Sequence, residues 1–514
     1  MTQALDLDGQ SLDIASVHRV ATDPSVRVRL SEGARESCAR SRLRVEAYLA
    51  SGEPVYGVNT GFGDLARVCI PQKDLEQLQL NLILSHAVGA GEPLPEDVVR
   101  GVLLLRANTL ARGASGVRPE LIDSLLALLN AGVVPVIPAK GSLGASGDLA
   151  PLAHMSLVLV GQGEATYRGR RMPGAEALEA AGLEPVKLAA KEGLSLINGT
   201  PVMTSIACMA LVEALALQKS AAIAATLSTE ALHGSDTSFD AEIQQLRPHP
   251  GQAEIAAYVR ALMRASEIRQ SHIGCDKVQD SYSIRCIPQV HGAVLDAWEY
   301  ARRVVAIEIN SVTDNPILTS DKVVPGGNFH GEPVGFAMDL LAIAMSELGA
   351  ISERRTFRLL TTSLSHLPPF LVRESGLNSG LMIAQYTAAA LASENKVLCH
   401  PATVDSIPTS ADQEDHVSMA TTAARKAHQV IRHTATILAI EMLTACQGLE
   451  FQDGMKPGTG SLLAYRRLRE RVPALEGDRD MRGDLAAAER LVLDGALGVE
   501  MDRCLGFDWQ VLRL

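Results

Sequence analysis

The sequence predicts a mainly α protein: a long central helix bundle with a smaller mixed N-terminal part. Three observations lead there. Aromatic residues are only 4% of the chain while Ala and Leu abound, which favours helix over sheet. Hydrophobic residues make up 47% and charged residues 21%, the balance of an ordered globular protein. After residue 200, long Ala-rich segments are apolar around most of their circumference, so other helices must wrap them.

The 514 residues suggest about three units at roughly 150 residues each. We read 1–200 as the N-terminal part, 201–450 as the bundle and 451–514 as a C-terminal helical segment. No linker separates them into autonomous domains. Met1–Gly9 carries Asp6 and Asp8 and no basic, apolar signal pattern. Asp74–Ala87 and Pro95–Ala111 predict helices from their Leu and Val spacing, set among short segments and Gly- and Pro-rich loops over residues 1–140. Val133–Ile137 is a short β-prone run, Tyr167–Pro173 a small hairpin and Glu184–Leu188 an extended piece. Pro201–Ala231, Pro288–Ser311, Glu332–Leu360, Met382–Asn395 and His416–Gln447 predict the long helices. The most apolar stretch, Pro201–Leu227, contains Glu213, Gln218 and Lys219, which suits a buried core helix better than a membrane span. Near the C-terminus Arg466, Arg467, Arg469 and Arg471 read as a solvated helix face. No internal repeat is present.

The charge balance is 47 basic against 59 acidic residues, a net −12. That argues against binding to nucleic acid or anionic membranes, which need clustered positive charge. The eight cysteines form no CxxC pair and read as reduced thiols of a cytoplasmic protein.

Three segments offer themselves as chemical motifs. Gly57–Gly63, Gly-Val-Asn-Thr-Gly-Phe-Gly, lacks the Lys-Ser/Thr ending of a phosphate loop and the spacing of a dinucleotide fingerprint, so a flexible loop is expected. Asp412–His416 has no companion His/Cys pair at ligand spacing, so helix capping and local hydrogen bonds are expected there and no metal. The informative segment is Gly141–His154, Gly-Ser-Leu-Gly-Ala-Ser-Gly-Asp-Leu-Ala-Pro-Leu-Ala-His. Small residues surround Ser146, and Asp148 with Pro151 marks a helix start. Ala114-Ser115-Gly116 repeats the tripeptide, but it lacks the Gly144 neighbour, the Asp148 cap and the following apolar helix.

The Gly141–His154 segment resembles the signature of the aromatic amino acid ammonia-lyases, their histidine-specific members most. The resemblance continues through Val55–Gly63, Ser85–Gly89, Asn198–Thr200, Gln279–Arg285, Gly326–Gly331 and Gln413–Ser418, in the family's order and over nearly the whole chain. It implies the fumarase/aspartase-like helical fold and a homotetramer with composite active sites. The Gly-Ser-Ser-x-Met-Pro-x-Lys loop of fumarase and argininosuccinase is absent.

By the same resemblance, Ala145, Ser146 and Gly147 cyclise unaided into 4-methylidene-imidazol-5-one, with no external cofactor. Closure needs a backbone free of Cβ crowding at Gly147. The ring supplies an electrophile toward the substrate amine, and a helix starting near Asp148 would point its positive end at it. The β-proton is weakly acidic, so a base is also required. Tyr282 matches that base. Arg285 matches the partner of the substrate carboxylate, for which its planar fork suits. Tyr56 falls in the lid region, Asn198 near substrate and ring, Gln279 beside the base and Phe329 on the pocket wall. His86 and Glu414 bear on the substrate: an imidazole has ring N–H and N groups that need partners once buried, whereas phenylalanine lyases usually carry Gln at the Glu414 position. The expected reaction is deamination of L-histidine to trans-urocanate. Tyrosine is the rival substrate, because His86 could meet a phenol, and a 2,3-aminomutase is the rival reaction. Leu196-Ile197 and Ala114-Ser115 depart from the family's usual Leu-Leu and aromatic-Ser, which touches pocket shape. A catalytically dead structural relative is disfavoured by the intact Ala145, Ser146, Gly147, Tyr56 and Tyr282.

Overall fold

The computed structural model describes residues 4–61 and 67–514. Residues 1–3 of the N-terminal segment, and Phe62 and Gly63 of the Gly57–Gly63 motif, lie outside the described residues. The helices that build the bundle and the site are α1 (Leu75–His86), α2 (Glu96–Ala111), α3 (Leu149–Leu159), α4 (Pro201–Ala231), α5 (Ile287–Glu308), α6 (Glu332–Leu360), α7 (Met382–Leu398) and α8 (Ala420–Leu449). Helices α4, α5, α6 and α8 form the bundle centre, α6 lying along α8 and α8 along α4. One apolar core joins the N-terminal part, the bundle and the C-terminal helices, from Leu7 to Leu512.

Helices α4 and α6 have the bounds their sequence predicts. Each carries Pro in its first turn, where the missing N–H costs nothing. Both are long and apolar enough to cross a membrane by length and composition, yet most of each is buried in the bundle. Two of the three charged residues on α4 form ion pairs. Glu213 pairs with Arg432 and His428 of α8, and Lys219 with Asp502 at 2.5 Å.

Sheet is confined to short pieces. β1 (Val134–Pro135), β2 (Glu164–Tyr167) and β3 (Arg170–Pro173) form an antiparallel sheet in that order, so the Tyr167–Pro173 hairpin is real but starts at Glu164. Glu184–Leu188 is not a strand; it runs as a loop, tied by Val186 N–H to the Leu159 carbonyl at 2.8 Å.

Other expectations need correction. α5 occupies Ile287–Glu308, not Pro288–Ser311, and α7 continues past Asn395 to Leu398. α8 begins at Ala420, not His416, because Met419 takes a left-handed φ of 51° and Ser418 turns its hydroxyl to the Gly144 carbonyl. Residues 1–140 are also more helical than expected, with helices at Ile14–Thr22, Glu32–Ser51 and Pro119–Ala131. In the C-terminal segment the Thr459–Arg469 helix carries three of the four arginines. Arg467 pairs with Glu500 and Glu470 on the solvated face, whereas Arg469 is mostly buried and turns inward to Glu450 and Gln447.

Candidate active site

Four helix N-termini meet at the Gly141–Asp148 loop. The Gly331 N–H, just before α6, donates to the Gly144 carbonyl at 2.9 Å, and the Met419 N–H, just before α8, to the Leu143 carbonyl at 2.7 Å. α3 starts directly after Asp148. α4 is reached through the Asp148 carboxylate, whose Oδ2 accepts from the main-chain N–H groups of Val202 (2.9 Å) and Met203 (3.0 Å). The sequence marks Asp148 as the cap of its own helix, α3. Its side chain caps α4 instead, because the loop turns it into the bundle. Oδ1 accepts from the hydroxyls of Ser142 and Thr421. Burial raises the Asp148 pKa, against those hydrogen bonds. The aligned helices place partial positive charge around the loop.

The tripeptide itself is tightly held. The Asn198 amide Nδ2 donates to the Ser146 carbonyl at 2.9 Å, and the Ser146 hydroxyl donates to Glu414 Oε1 at 2.5 Å. Gly147 has a φ of +73°, and a Cβ there would stand 2.0 Å from the Gly199 carbonyl oxygen. Only glycine fits. Asp148 N–H closes the arrangement on the same Gly199 oxygen at 2.7 Å.

Above this loop lies a cavity of about 1080 Å³, lined by Tyr56, His86, Ala145, Ser146, Asn198, Phe329 and Glu414 among others. Seven expected residues are thereby brought together, with Gly147 buried beneath them. His86 ends α1. Its Nδ1 lies 2.7 Å from the Leu82 carbonyl, which places the proton on Nδ1 and leaves Nε2 as an acceptor. Burial holds its pKa below the ordinary histidine value, against the Leu82 hydrogen bond and the Glu414 charge. The next turn is fixed by His154, the last residue of the Gly141–His154 segment, whose Nε2 accepts from the Gly89 N–H at 3.0 Å. Two separate motifs thus lock to each other. Asp412–His416 caps no helix. It forms a turn in which Thr409 pairs with Glu414, aiming that carboxylate at Ser146. Among the described residues no cluster of His, Cys, Asp and Glu has metal-holding geometry.

Gln279, Tyr282 and Arg285 are not part of this cavity. They sit at the other end of α4, where the Ser235 N–H donates to Asp280 at 2.7 Å and Lys277 reaches the Leu232 carbonyl at 3.3 Å. α4 has 31 residues, and at 1.5 Å rise per residue that is a length of about 46 Å. Gln279 and Tyr282 are exposed, and the Arg285 guanidinium lies 4.7 Å from the Tyr282 ring centroid. The Arg285 Nε is buried without a partner.

Residues 12–470 match the family model of the aromatic amino acid lyases. A histidine ammonia-lyase of Anaeromyxobacter dehalogenans is 54% identical over 506 residues, covering 96% of this chain and 99% of that protein. This chain belongs to the aromatic amino acid lyase family. The crystal structure of histidine ammonia-lyase from Trypanosoma cruzi shares the fold at a TM-score of 0.90 and 40% identity, over 98% of this chain and 95% of that one. Tyrosine aminomutase from Streptomyces globisporus does so at 0.91 and 37%, over 98% of each chain. The cavity of this aromatic amino acid lyase also holds residues to which the sequence alone assigns no role in the site. His330 and His416 line it, their rings parallel with centroids 5.8 Å apart. His330 directly follows Phe329, a signal that was available. Asn315 also lines the cavity, and nothing in its local sequence announces it.

Proposed function

We propose that this protein eliminates ammonia from L-histidine to give trans-urocanate, with Ala145, Ser146 and Gly147 cyclised to 4-methylidene-imidazol-5-one. One observation carries the reading: Ser146 forms the cavity floor, its hydroxyl on Glu414 and its carbonyl on Asn198, with His86 in the same cavity. The residues suit the ring. Residue 147 tolerates no Cβ, and the helix N-termini around the loop favour electron withdrawal. The ring supplies an electrophilic carbon for the substrate amine, which no unmodified side chain offers.

The chain's own residues supply the rest. Loss of the Ser146 hydroxyl on cyclisation removes the donor to Glu414 Oε1 and opens that carboxylate to a substrate N–H. His86 lines the same cavity beside it. A phenyl ring would leave Glu414 Oε1 without a partner, at a cost of roughly 1–3 kcal/mol or more for a charge. Arg285 receives the substrate carboxylate through its planar fork. Tyr282 takes the β-proton at its hydroxyl oxygen, with Gln279 beside it and the Arg285 cation over its ring. Tyr56, on the cavity wall, belongs to the lid.

Tyr282 and Ser146 lie at opposite ends of α4, so a second copy of the chain must bring Gln279, Tyr282 and Arg285 to the cavity. We propose a homotetramer with composite sites. Phe336, Leu340 and Ile343 on one exposed face of α6, and Ile383 and Tyr386 exposed on α7, supply apolar surface for that assembly. The net charge and the unpaired cysteines suit a cytoplasmic enzyme that binds a small amino acid, not nucleic acid or membrane.

The test is purified protein given L-His, L-Tyr or L-Phe, with the absorbance of each acrylate product followed. Urocanate should form fastest. Preferred release of coumarate would make tyrosine the substrate, and a β-amino acid product would make the protein an aminomutase.

A further inference from the structure

Helix α2 carries two buried arginines, and they are held differently. Arg100 donates to three main-chain carbonyls, those of Ala21 (3.0 Å), Val20 (2.8 Å) and Leu129 (3.2 Å). That is a structural arginine with its donors matched. Arg106 is fully buried and reaches one carbonyl, donating from Nη1 to Asn198 at 2.6 Å. Its Nε and Nη2 have no partner. No carboxylate forms an ion pair with it among the described residues; Asp314 and Asp148 act on it only through space. Burial pushes its pKa down to about 10. A buried guanidinium so sparsely matched destabilises a fold, and apolar replacements of such groups are often neutral or stabilising.

The one group Arg106 does hold is informative. Asn198 and Gly199 form the strut behind the Ala145–Gly147 turn. Asn198 Nδ2 grips the Ser146 carbonyl, Gly199 O accepts from Asp148 N–H, and Gly147 bridges to Gly199. In ring closure the Gly147 nitrogen bonds to the Ala145 carbonyl carbon. The Ala145 oxygen leaves as water with the Gly147 and Ser146 amide hydrogens, leaving a C=N bond. Ser146 then loses its hydroxyl with its Cα hydrogen as a second water, leaving the exocyclic C=C. No oxidant is consumed. A hydrogen bond on the Ser146 carbonyl draws electron density from the adjacent Cα–H, so the position of Asn198 bears on both steps.

We propose that Arg106 is a positioning residue for maturation: it clamps the Asn198–Gly199 strut against which the Ala145–Gly147 turn closes. This rests on the cyclisation proposed above. The experiment is cell-free synthesis of the full chain, sampled over time. Mass spectrometry of the peptide spanning Ala145–Gly147 reads maturation, and melting of the purified protein reads stability. Arg106→Met should mature on the order of 10- to 100-fold more slowly, as displaced reacting groups do, with a Tm no lower than wild type. Arg106→Lys, which restores a cationic donor, should recover most of the rate. A Met variant that matures at the wild-type rate, melts lower or fails to fold makes Arg106 structural and overturns the inference. A Lys variant as slow as the Met one also overturns it. Wild-type chain that never loses water sinks the underlying cyclisation instead.

Discussion

The chain contains Ala-Ser-Gly twice, and the two copies share a left-handed glycine but not surroundings. Gly116 and Gly147 both sit at positive φ, +69° and +73°. In the first copy Ser115 is fully buried, Ala114 O accepts from the Leu318 N–H at 2.8 Å, and a Cβ on Gly116 would strike Val45 at 2.4 Å. In the second, Ser146 opens into a cavity, with an amide on its carbonyl and a carboxylate on its hydroxyl. A tripeptide and a left-handed glycine therefore do not make a reactive loop. The four helix N-termini, Asn198, Glu414 and the cavity distinguish the copies.

The sharpest way to break this contrast is Ser146→Ala. Without a hydroxyl the residue cannot dehydrate, so the ring's near-ultraviolet difference absorbance and deamination should both vanish while circular dichroism stays that of the folded protein. Full activity in this variant would remove the second copy from the chemistry. Next comes Tyr282→Phe, expected to lower kcat by about 10²- to 10⁴-fold with KM changed little. A near-normal kcat would move the base elsewhere, with Tyr56 the next candidate. These two variants together test the composite site. Each alone should be nearly inactive, but co-refolded subunits should regain part of the activity if, as proposed, one copy supplies Ser146 and another Tyr282. A mixture as dead as its parents would place both residues in one chain's site.

The bundle was readable in the sequence, and the reason is local. α4 and α6 carry Pro in their first turn, and their apolar surface leaves no other home for them but a core. The helix at Glu32–Ser51 was not readable, because its buried stripe includes Ser41 and Arg42 beside Ala34, Cys38 and Val45, which hides the apolar period. Pro119–Ala131 carried good signals, with Pro at its start and Gly132 as a left-handed cap. Seven cavity residues were legible through their motifs. What no motif could give was distance: the length of α4 between Ser146 and Tyr282, the turn of Asp148 onto a different helix, and Arg106 behind Asn198 all depend on how remote segments pack.

A milder substitution sharpens what the second copy's surroundings select. Glu414→Gln keeps the shape but removes the charge that faces Ser146. The ratio of kcat/KM for L-His over L-Phe should fall roughly tenfold or more. An unchanged ratio on folded protein would take Glu414 out of substrate recognition. The smallest effect is expected at the first copy. Ser115→Ala should leave maturation and kcat near wild type and shift stability by about 1 kcal/mol or less. If it silences the enzyme, the copies have been assigned the wrong way round.

The most direct measurement is peptide mapping of the purified wild-type protein by tandem mass spectrometry, covering both copies in one digest. The peptide holding Ala145, Ser146 and Gly147 should be lighter by the water that cyclisation and dehydration expel, and the fragment masses should place that loss within the tripeptide. The peptide holding Ala114, Ser115 and Gly116 should have its unmodified mass. An intact second copy, or a loss of water from the first, would contradict the account.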